Sequence, residues 1–272
     1  KAQPFNIRKG IIYTEILPRI PADDLSFGTT YQERTKRISA YMKEGYARIC
    51  REKNTTDNPA FYEALIQNYI YKGPVVEWYI RIKVKMERNN RLIPVQGQIT
   101  DIGCGFGPLC YMLSMLSEDR DILGIDYDED KIALAQHGWL RNEHLQFRHG
   151  NALEYPLPES DVFILNDMLH YMSYEHQRTL LLKCADRLRS QGMIIIRDGN
   201  SANTSKHRLT RFTELLSTRI FNFNRTAGEL HFTTETQLRK IAVTCGMNVE
   251  IIPNDKYTSN TIYIFRKPNE HE

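Results

Sequence analysis

The 272-residue chain has no apolar run that approaches the length of about 18 residues expected of a membrane-spanning helix. Its first residues do not follow the pattern of a secretory signal peptide, and it has no internal repeat. The net charge is only +3, which is too small by itself to indicate binding to nucleic acid or to a membrane. These absences favour a globular protein with no transmembrane segment and no nucleic-acid partner.

Cysteine is scarce as well. The chain has five cysteines, an odd number, and none of them forms a C-x-x-C pair. This usage argues against a disulfide framework and against a zinc site, and it is typical of a reducing compartment. We therefore predict a cytoplasmic protein without a bound metal.

The most informative segment is residues 99–107, where a short apolar strand carrying Asp101 runs into a glycine-rich turn. Glycine lets the backbone turn tightly and lets a ligand approach closely, and the helix expected after the turn offers its first amide groups to that ligand. Asp101 would repel a pyrophosphate but suits a ligand with a cationic end. Pro108 stands where the dinucleotide pattern G-x-G-x-x-G needs a glycine, which disfavours a nicotinamide-dependent oxidoreductase. The glycines of the turn are Gly103, Gly105 and Gly107.

The resulting pattern, D-x-G-x-G-x-G, resembles motif I of class I S-adenosylmethionine (SAM) methyltransferases. The resemblance implies that Asp101 lies near the methionine moiety of SAM and that the glycines pack under the ligand. A second predicted strand ends at Asp126, nineteen residues after Gly107, with Tyr127 beside it. Acidic residues at this point hydrogen-bond ribose hydroxyls in nucleotide-binding α/β folds. We therefore expect Asp126 and Tyr127 to contact the cofactor.

Three further segments follow in the order of the same family. Residues 145–152 resemble its third strand and the turn that reads adenine, with Asn151 and Ala152 at the turn; the amide oxygen of Asn151 can accept a hydrogen bond from the adenine amine. Residues 161–171 resemble its fourth strand, whose tip carries Asn166 near the transferable methyl group. Residues 193–198 are predicted as the fifth strand. The resemblance covers roughly residues 60–268.

This resemblance implies an α/β fold: a doubly wound, Rossmann-like sheet of seven strands, the last antiparallel, with helices before it and a helical lid inserted after strand five. We predict that residues 98–268 form this SAM-binding domain and that the lid covers residues 201–233. Residues 56–97 are predicted as a helical cap, in which Tyr71 is a further candidate contact to SAM. The final two strands, near 248–253 and 261–266, are expected to form an antiparallel pair.

The first 55 residues are predicted as a separate unit, with a strand near 10–21 and a helix that Thr30 caps. This strand, its L-P-x-I sequence and the T-Y-x-E-R-T-K helix resemble the C-terminal end of glycerolipid (lysophospholipid-type) acyltransferases. The reaction centre of that family is an H-x-x-x-x-D pair, which none of the eight histidines of this chain provides. We expect an acyltransferase remnant without its active site, in a piece of a longer acyltransferase–methyltransferase protein.

The function we predict is methyl transfer from SAM to a small or carrier-protein-bound aryl or acyl acceptor, at oxygen or carbon. His170, just past strand four, and His231, in the lid, are the candidate bases, because a histidine near neutral pKa can remove the acceptor's proton. The Asn166–Asp167 dipeptide does not match the N-P-P-[YF] sequence of enzymes that methylate nucleic-acid amino groups. An alternative is a catalytically silent SAM-fold module that scaffolds a fused acyltransferase.

Overall fold

The computed structural model describes residues 12–87, 89–199, 230–252 and 260–268. The chain divides into two compact units, Lys1–Val84 and Lys85–Glu272. Among the helices of these described ranges, none is both long enough and apolar enough to cross a membrane.

The first unit is helical. Helix α1 (Tyr31–Lys53) begins at a capping box, in which the Thr30 hydroxyl accepts the Glu33 amide and the Glu33 carboxylate accepts the Thr30 amide. Helix α2 (Pro59–Gln67) begins with a proline, whose missing N–H costs nothing at the first position of a helix. Helix α3 (Pro74–Met86) begins in the same way. Helices were expected at all three places.

The strand predicted near residues 10–21 is not formed by its described part. Residues 12–20 have no regular secondary structure, and the side chains of Ile12 and Ile16 are exposed. Alternation of apolar residues stabilises a strand only when a neighbouring strand pairs with its amides and a core covers its apolar face. Pro18 and Pro21 also lack the amide that such pairing needs.

The second unit is built on a seven-stranded sheet with the order β3-β2-β1-β4-β5-β7-β6. Strands β1 to β5 are parallel to one another, whereas β7 runs antiparallel to both β5 and β6. The predicted fold class and the antiparallel closing pair are therefore confirmed. The strands are β1 (Gly97–Ile102), β2 (Arg120–Asp126), β3 (Leu145–His149), β4 (Ser160–Asn166), β5 (Leu188–Gly199), β6 (Asn248–Ile252) and β7 (Asn260–Arg266).

Four helices accompany the described strands: α4 (Pro108–Leu116), α5 (Glu129–Gln136), α6 (Tyr174–Asp186) and α7 (Glu235–Thr244). Buried aliphatic and aromatic side chains of the strands pack with those of α6 and α7 in one apolar core. Most of the predicted lid, residues 201–229, lies outside the described residues.

The order of the strands determines where a ligand can bind. Strand β1 is flanked by β2 on one side and by β4 on the other, so the chain winds in opposite directions from it. Open α/β sheets bind their ligands outside the carboxyl ends of the strands at such a switch point. The residues that follow β1, β2 and β4 therefore form the candidate site.

Candidate active site at the carboxyl ends of the strands

The glycine turn after β1 has one residue that faces open space. All three glycines have positive φ angles, +75° at Gly103, +57° at Gly105 and +73° at Gly107. A Cβ atom at Gly103 would lie 2.8 Å from the Cβ of Met168, and one at Gly107 would strike the ring of Phe147. A Cβ at Gly105 would meet nothing within 4 Å. Gly105 is therefore the position where a ligand can approach the backbone, whereas the other two glycines allow close internal packing.

Asp101 is buried beneath this turn, with only 2 % of its surface exposed. Burial raises its pKa to about 7, while a hydrogen bond from the Cys110 thiol, at 3.2 Å, opposes the shift. The nearby carboxylates of Glu87 and Asp126 add to the rise. A cationic neighbour stabilises the ionised form of a buried carboxylate. Asp101 therefore fits the positively charged end of SAM.

Asp126 holds the glycine turn in place. Its Oδ2 accepts the Gly105 amide at 2.7 Å and its Oδ1 accepts the Asp128 amide at 2.9 Å. Each carboxylate oxygen can accept a further hydrogen bond, so these contacts leave acceptor capacity for a ribose. Tyr127 follows with an exposed side chain, and its carbonyl oxygen is 2.9 Å from Nε2 of His149.

Asn151 and Ala152 begin a tight turn after β3. The side-chain oxygen of Asn151 accepts the Leu153 amide at 3.1 Å, which closes the turn locally. Lys183, from α6, binds this turn, a contact that no sequence pattern indicates. Its ammonium group donates to the carbonyl oxygens of Ala152, Leu153 and Tyr155 at 3.1, 2.8 and 2.6 Å.

Asn166 belongs to a buried polar cluster that the sequence analysis missed. Arg197, from β5, bridges Glu87 at 3.0 Å and Asp167 at 2.7 Å, and all three side chains are almost fully buried. Burial lowers the pKa of Arg197, but the two carboxylates outweigh it and keep the pKa raised. Asn166 accepts a hydrogen bond from Asn89 at 2.6 Å. Asp167 has a φ of +53°, a strained value of the kind found at functional sites.

The two candidate histidines, 61 residues apart in the chain, are neighbours in the structure: the amide of His231 donates to the carbonyl oxygen of His170 at 2.9 Å. His170 is 2 % exposed, and its ring stacks on Phe232 at 5.1 Å between centroids. Asp198, at the end of β5, lies 2.6 Å from Nδ1 of His170 and also accepts the His170 amide at 3.1 Å. In the sequence, Asp198 stands out only as the last residue of the predicted fifth strand.

Tyr71 lies in the first compact unit, where its side chain is partly exposed and partial burial raises the pKa of its hydroxyl. Its contact with the cofactor stays a prediction.

Residues 99–192 match the family model of the methyltransferase domain. The chain contains a methyltransferase domain. This match spans β1 to the start of β5, which includes the glycine turn, Asp126, Asn151 and Asn166.

Curated relatives identify the cofactor. A probable SAM-dependent methyltransferase of Mycolicibacterium smegmatis is 29% identical over 150 residues, covering 49% of this chain and 55% of the relative. One from Mycobacterium tuberculosis is 27% identical over 138 residues, covering 49% of this chain and 46% of the relative. The chain thus spans about half the length of the curated relatives it matches. SAM is the cofactor of this domain.

Solved structures share the fold at low sequence identity. Human N-acetylserotonin methyltransferase in complex with SAM has a TM-score of 0.54 and 19% identity, over 74% of this chain and 58% of its own. The magnesium protoporphyrin IX methyltransferase of Synechocystis, with bound SAH, has a TM-score of 0.53 and 16% identity, over 81% of this chain and 99% of its own. The fold that these two structures share with this chain therefore includes more of the sheet than residues 99–192, the segment that matches the family model.

Proposed function

We propose that this domain catalyses methyl transfer from SAM to a small-molecule or carrier-bound aryl or acyl acceptor, at oxygen or carbon. The observation that carries the proposal is the arrangement around Gly105. Gly105 is open to a ligand, follows the strand that carries the buried carboxylate of Asp101, and donates its amide to the carboxylate of Asp126 at the end of the adjacent strand. This arrangement supports binding of a ligand with a cationic end and a pair of hydroxyl groups.

When bound, SAM supplies a methyl group that is already activated as part of a sulfonium. The chain's own residues then have to hold the acceptor in line, and such positioning accounts for roughly 7–11 kcal/mol of the barrier in favourable cases. We assign Asp101, Gly105, Asp126, Tyr127, Asn151 and Asn166 to cofactor binding, with Gly103, Gly107 and Ala152 shaping the turns beside them.

His170 is the proposed base for an oxygen nucleophile. Asp198 accepts at Nδ1, which favours the tautomer with its proton on that nitrogen and leaves Nε2 as the basic atom. Asp198 also accepts the amide of His170, so the ring and its backbone are held by one carboxylate. His231 is the second candidate, because its amide is bonded to the same turn.

The acceptor class has support from the structural relatives. The names of N-acetylserotonin methyltransferase and magnesium protoporphyrin IX methyltransferase state small-molecule acceptors for those proteins. The five free cysteines support a cytoplasmic location.

The wider context that we propose is a fusion to an upstream acyltransferase. Its support is the sequence of residues 1–55 and the capped helix α1 that follows Thr30. The test assays the full-length gene product and this 272-residue chain separately for acyl transfer from an acyl thioester to a glycerolipid. Activity in this chain alone would contradict the remnant hypothesis.

Cofactor binding is tested by calorimetry with SAM, SAH and NAD. Gly105→Val is expected to abolish binding of SAM and SAH, because a branched side chain occupies the open face. Gly246→Val is a matched control, since Gly246 has a similar φ of +65° and an equally open surrounding in the turn after α7. NAD binding without SAM binding would overturn the assignment, and SAM binding without turnover on any aryl or acyl acceptor would favour the silent scaffold.

A further inference from the structure

Gln177, near the start of α6, connects two distant segments of the chain through its side-chain amide. The residue is buried, with 1 % of its surface exposed. Its Nε2 donates to the carbonyl oxygens of Leu169 and Met172, both at 3.0 Å, and to that of His231 at 2.7 Å. An amide nitrogen has only two hydrogens, so the three acceptors share them. Both segments carry a candidate base.

The first segment is the turn of His170. Leu169 precedes His170 and Met172 follows it by two residues, so Gln177 binds carbonyl oxygens on both sides of the histidine. Asp198 accepts the amide of His170 at 3.1 Å. The backbone of this turn is therefore held by a carboxylate at its N–H and by a carboxamide at its carbonyl groups.

The second segment begins at His231. Its amide donates to the carbonyl oxygen of His170 at 2.9 Å and its own carbonyl accepts from Gln177, so both its backbone groups are bound beside the turn. The next residue, Phe232, stacks on the His170 ring with 18° between the planes. Gly199 leaves room for this ring, because a Cβ atom there would lie 3.1 Å from it. Gln177 thus helps to hold Phe232 over His170.

The other end of the Gln177 amide has no partner. Within the part of the chain that the structure describes, its Oε1 accepts no hydrogen bond. The reverse orientation of the amide would turn this oxygen towards three carbonyl oxygens, so the unpaired atom is the acceptor. A buried unpaired acceptor lowers stability and calls for an explanation. The three carbonyl groups that Gln177 binds, all beside the candidate bases, point to a role in the reaction.

We propose that Gln177 is a positioning residue for methyl transfer. It holds the turn of His170 and the segment of Phe232 in one arrangement, which gives the His170 ring a fixed orientation towards the acceptor. The inference rests on the proposed function for the role of His170 as the base. Orientation matters because a displacement of about 1 Å at a catalytic group can lower the rate by about 10²-fold.

The test compares the wild-type chain with Gln177→Met, a variant of similar length that lacks the amide. Three quantities are measured: hydrogen exchange at the His231 amide, SAH affinity by calorimetry, and kcat for methyl transfer. Tyr174→Phe is the first control, since it removes an exposed hydroxyl that donates to the Phe232 carbonyl oxygen at 3.4 Å. Gln237→Met is the second, since it removes the glutamine of the capping box of α7 and lowers stability elsewhere. Thermal melting compares the stability of all variants.

Gln177→Met should speed exchange of the His231 amide by at least about 10-fold, because local opening of this segment becomes easier. It should lower kcat by about 10- to 100-fold and leave SAH affinity unchanged, since the cofactor site is intact. Both controls should keep the wild-type kcat. Phe232→Ala should lower kcat as well, and the double variant should lose no more than the larger single loss, because both changes disturb one contact.

A folded Gln177→Met variant with the exchange rate and kcat of the wild type overturns the proposal. An equal loss of kcat in Gln237→Met at matched thermal stability also overturns it, because the loss would then be a general effect of instability. Normal turnover of His170→Ala refutes instead the base named in the proposed function. The exchange measurement needs no acceptor, so it tests the contacts of Gln177 in either case.

Discussion

The two sides of β1 are built in different ways. On the side of β2 and β3, the site consists mainly of backbone turns, held by local hydrogen bonds such as the one from Gly105 to Asp126. On the side of β4 and β5, it consists of buried charged side chains from distant parts of the chain, such as Glu87 and Arg197. The first side offers open space at a glycine, whereas the second is densely paired.

This difference suggests that the two sides of β1 have different functions. The β2–β3 side is formed by backbone turns with glycines and two carboxylates, which we call the backbone cradle. Such a surface can match the shape of a cofactor that many methyltransferases share. A side-chain network instead fixes charge and proton positions, which matter for one acceptor in particular. We expect variants on the β4–β5 side to change rate and stability most, and variants on the β2–β3 side to change cofactor affinity.

The largest effect is expected at the histidine. His170→Ala should lower turnover by about 10²–10⁴-fold with little change in SAH affinity, because a general base acts in the transition state. Asp198→Asn should also lower turnover and should alter the acidic limb of the pH–rate profile, since Asp198 sets the tautomer of His170. Measuring turnover and SAH binding by calorimetry on the same preparations separates a loss of rate from a loss of cofactor affinity.

Two further variants serve as controls for that experiment. His144→Ala removes an exposed histidine that is paired with Asp121 and should leave turnover unchanged. His231→Ala keeps the backbone bond to His170, so a large loss of rate would identify its ring as the base. Near-normal turnover in both His170→Ala and His231→Ala would remove the histidines from the mechanism and leave positioning alone.

The second effect concerns stability. Arg197→Met should lower the free energy of unfolding by about 3–5 kcal/mol, because it removes the buried guanidinium that pairs with the carboxylates of Glu87 and Asp167. Arg189→Met is the matched control: its pair with Asp161 is partly exposed to solvent, so we expect a loss of about 0.2–1 kcal/mol. Urea unfolding measures both. Equal losses would mean that the cluster is not a buried network in solution.

Sequence reasoning succeeded where the evidence was local. The glycine turn, Asp126 and the turn at Asn151 follow strands in chain order, so their spacing together with the family resemblance predicted where they lie. The role of each glycine could not be predicted in the same way, because it depends on contacts with distant residues. Gly107, for example, packs on Phe147, which lies forty residues further along the chain, in β3. Only the packed structure distinguishes Gly105 as the open one.

The β4–β5 side could not be predicted in the same way. Glu87 and Arg197 are 110 residues apart, and no periodic pattern connects them. Asp198 was visible only as the polar end of a strand, and its pairing with His170 depends on the register between β4 and β5. The strand predicted near residues 10–21 was wrong for the opposite reason. Its alternation of apolar residues is a local pattern, but a strand also requires a neighbouring strand with which to pair.

The third effect is a pH dependence of stability from Asp101. Its pKa is about 7 in the folded state, against 3.8 as the ordinary value, so the folded state binds the extra proton between these pH values. Stability should therefore fall as the pH rises from about 4 to 7, by up to about 1.4 kcal/mol per pH unit. Asp101→Asn should remove this slope while keeping a side-chain oxygen beside Cys110.

Urea unfolding of wild type and Asp101→Asn at pH 5 and pH 8 measures that difference. The variant should gain stability relative to the wild type at the higher pH. If the difference in stability between wild type and variant is the same at pH 5 and pH 8, Asp101 is already ionised in the folded state at pH 5, and the cation-binding argument would then rest on a permanent charge.

The smallest effect is expected on the backbone side, at Asp126. Asp126→Ala should weaken SAH binding by roughly 1.5–3 kcal/mol, the range for hydrogen bonds to a charged group. Part of that loss comes from the Gly105 amide, which Asp126 also holds. The 2′-deoxy analogue of SAH separates the two contributions, because only a direct ribose contact makes the wild type discriminate against it. Asp130→Ala, an exposed acid in the first turn of α5, is the control. If wild type and Asp126→Ala discriminate equally between SAH and the analogue, Asp126 supports the glycine turn without touching the ribose, and the cradle on this side is made of backbone alone.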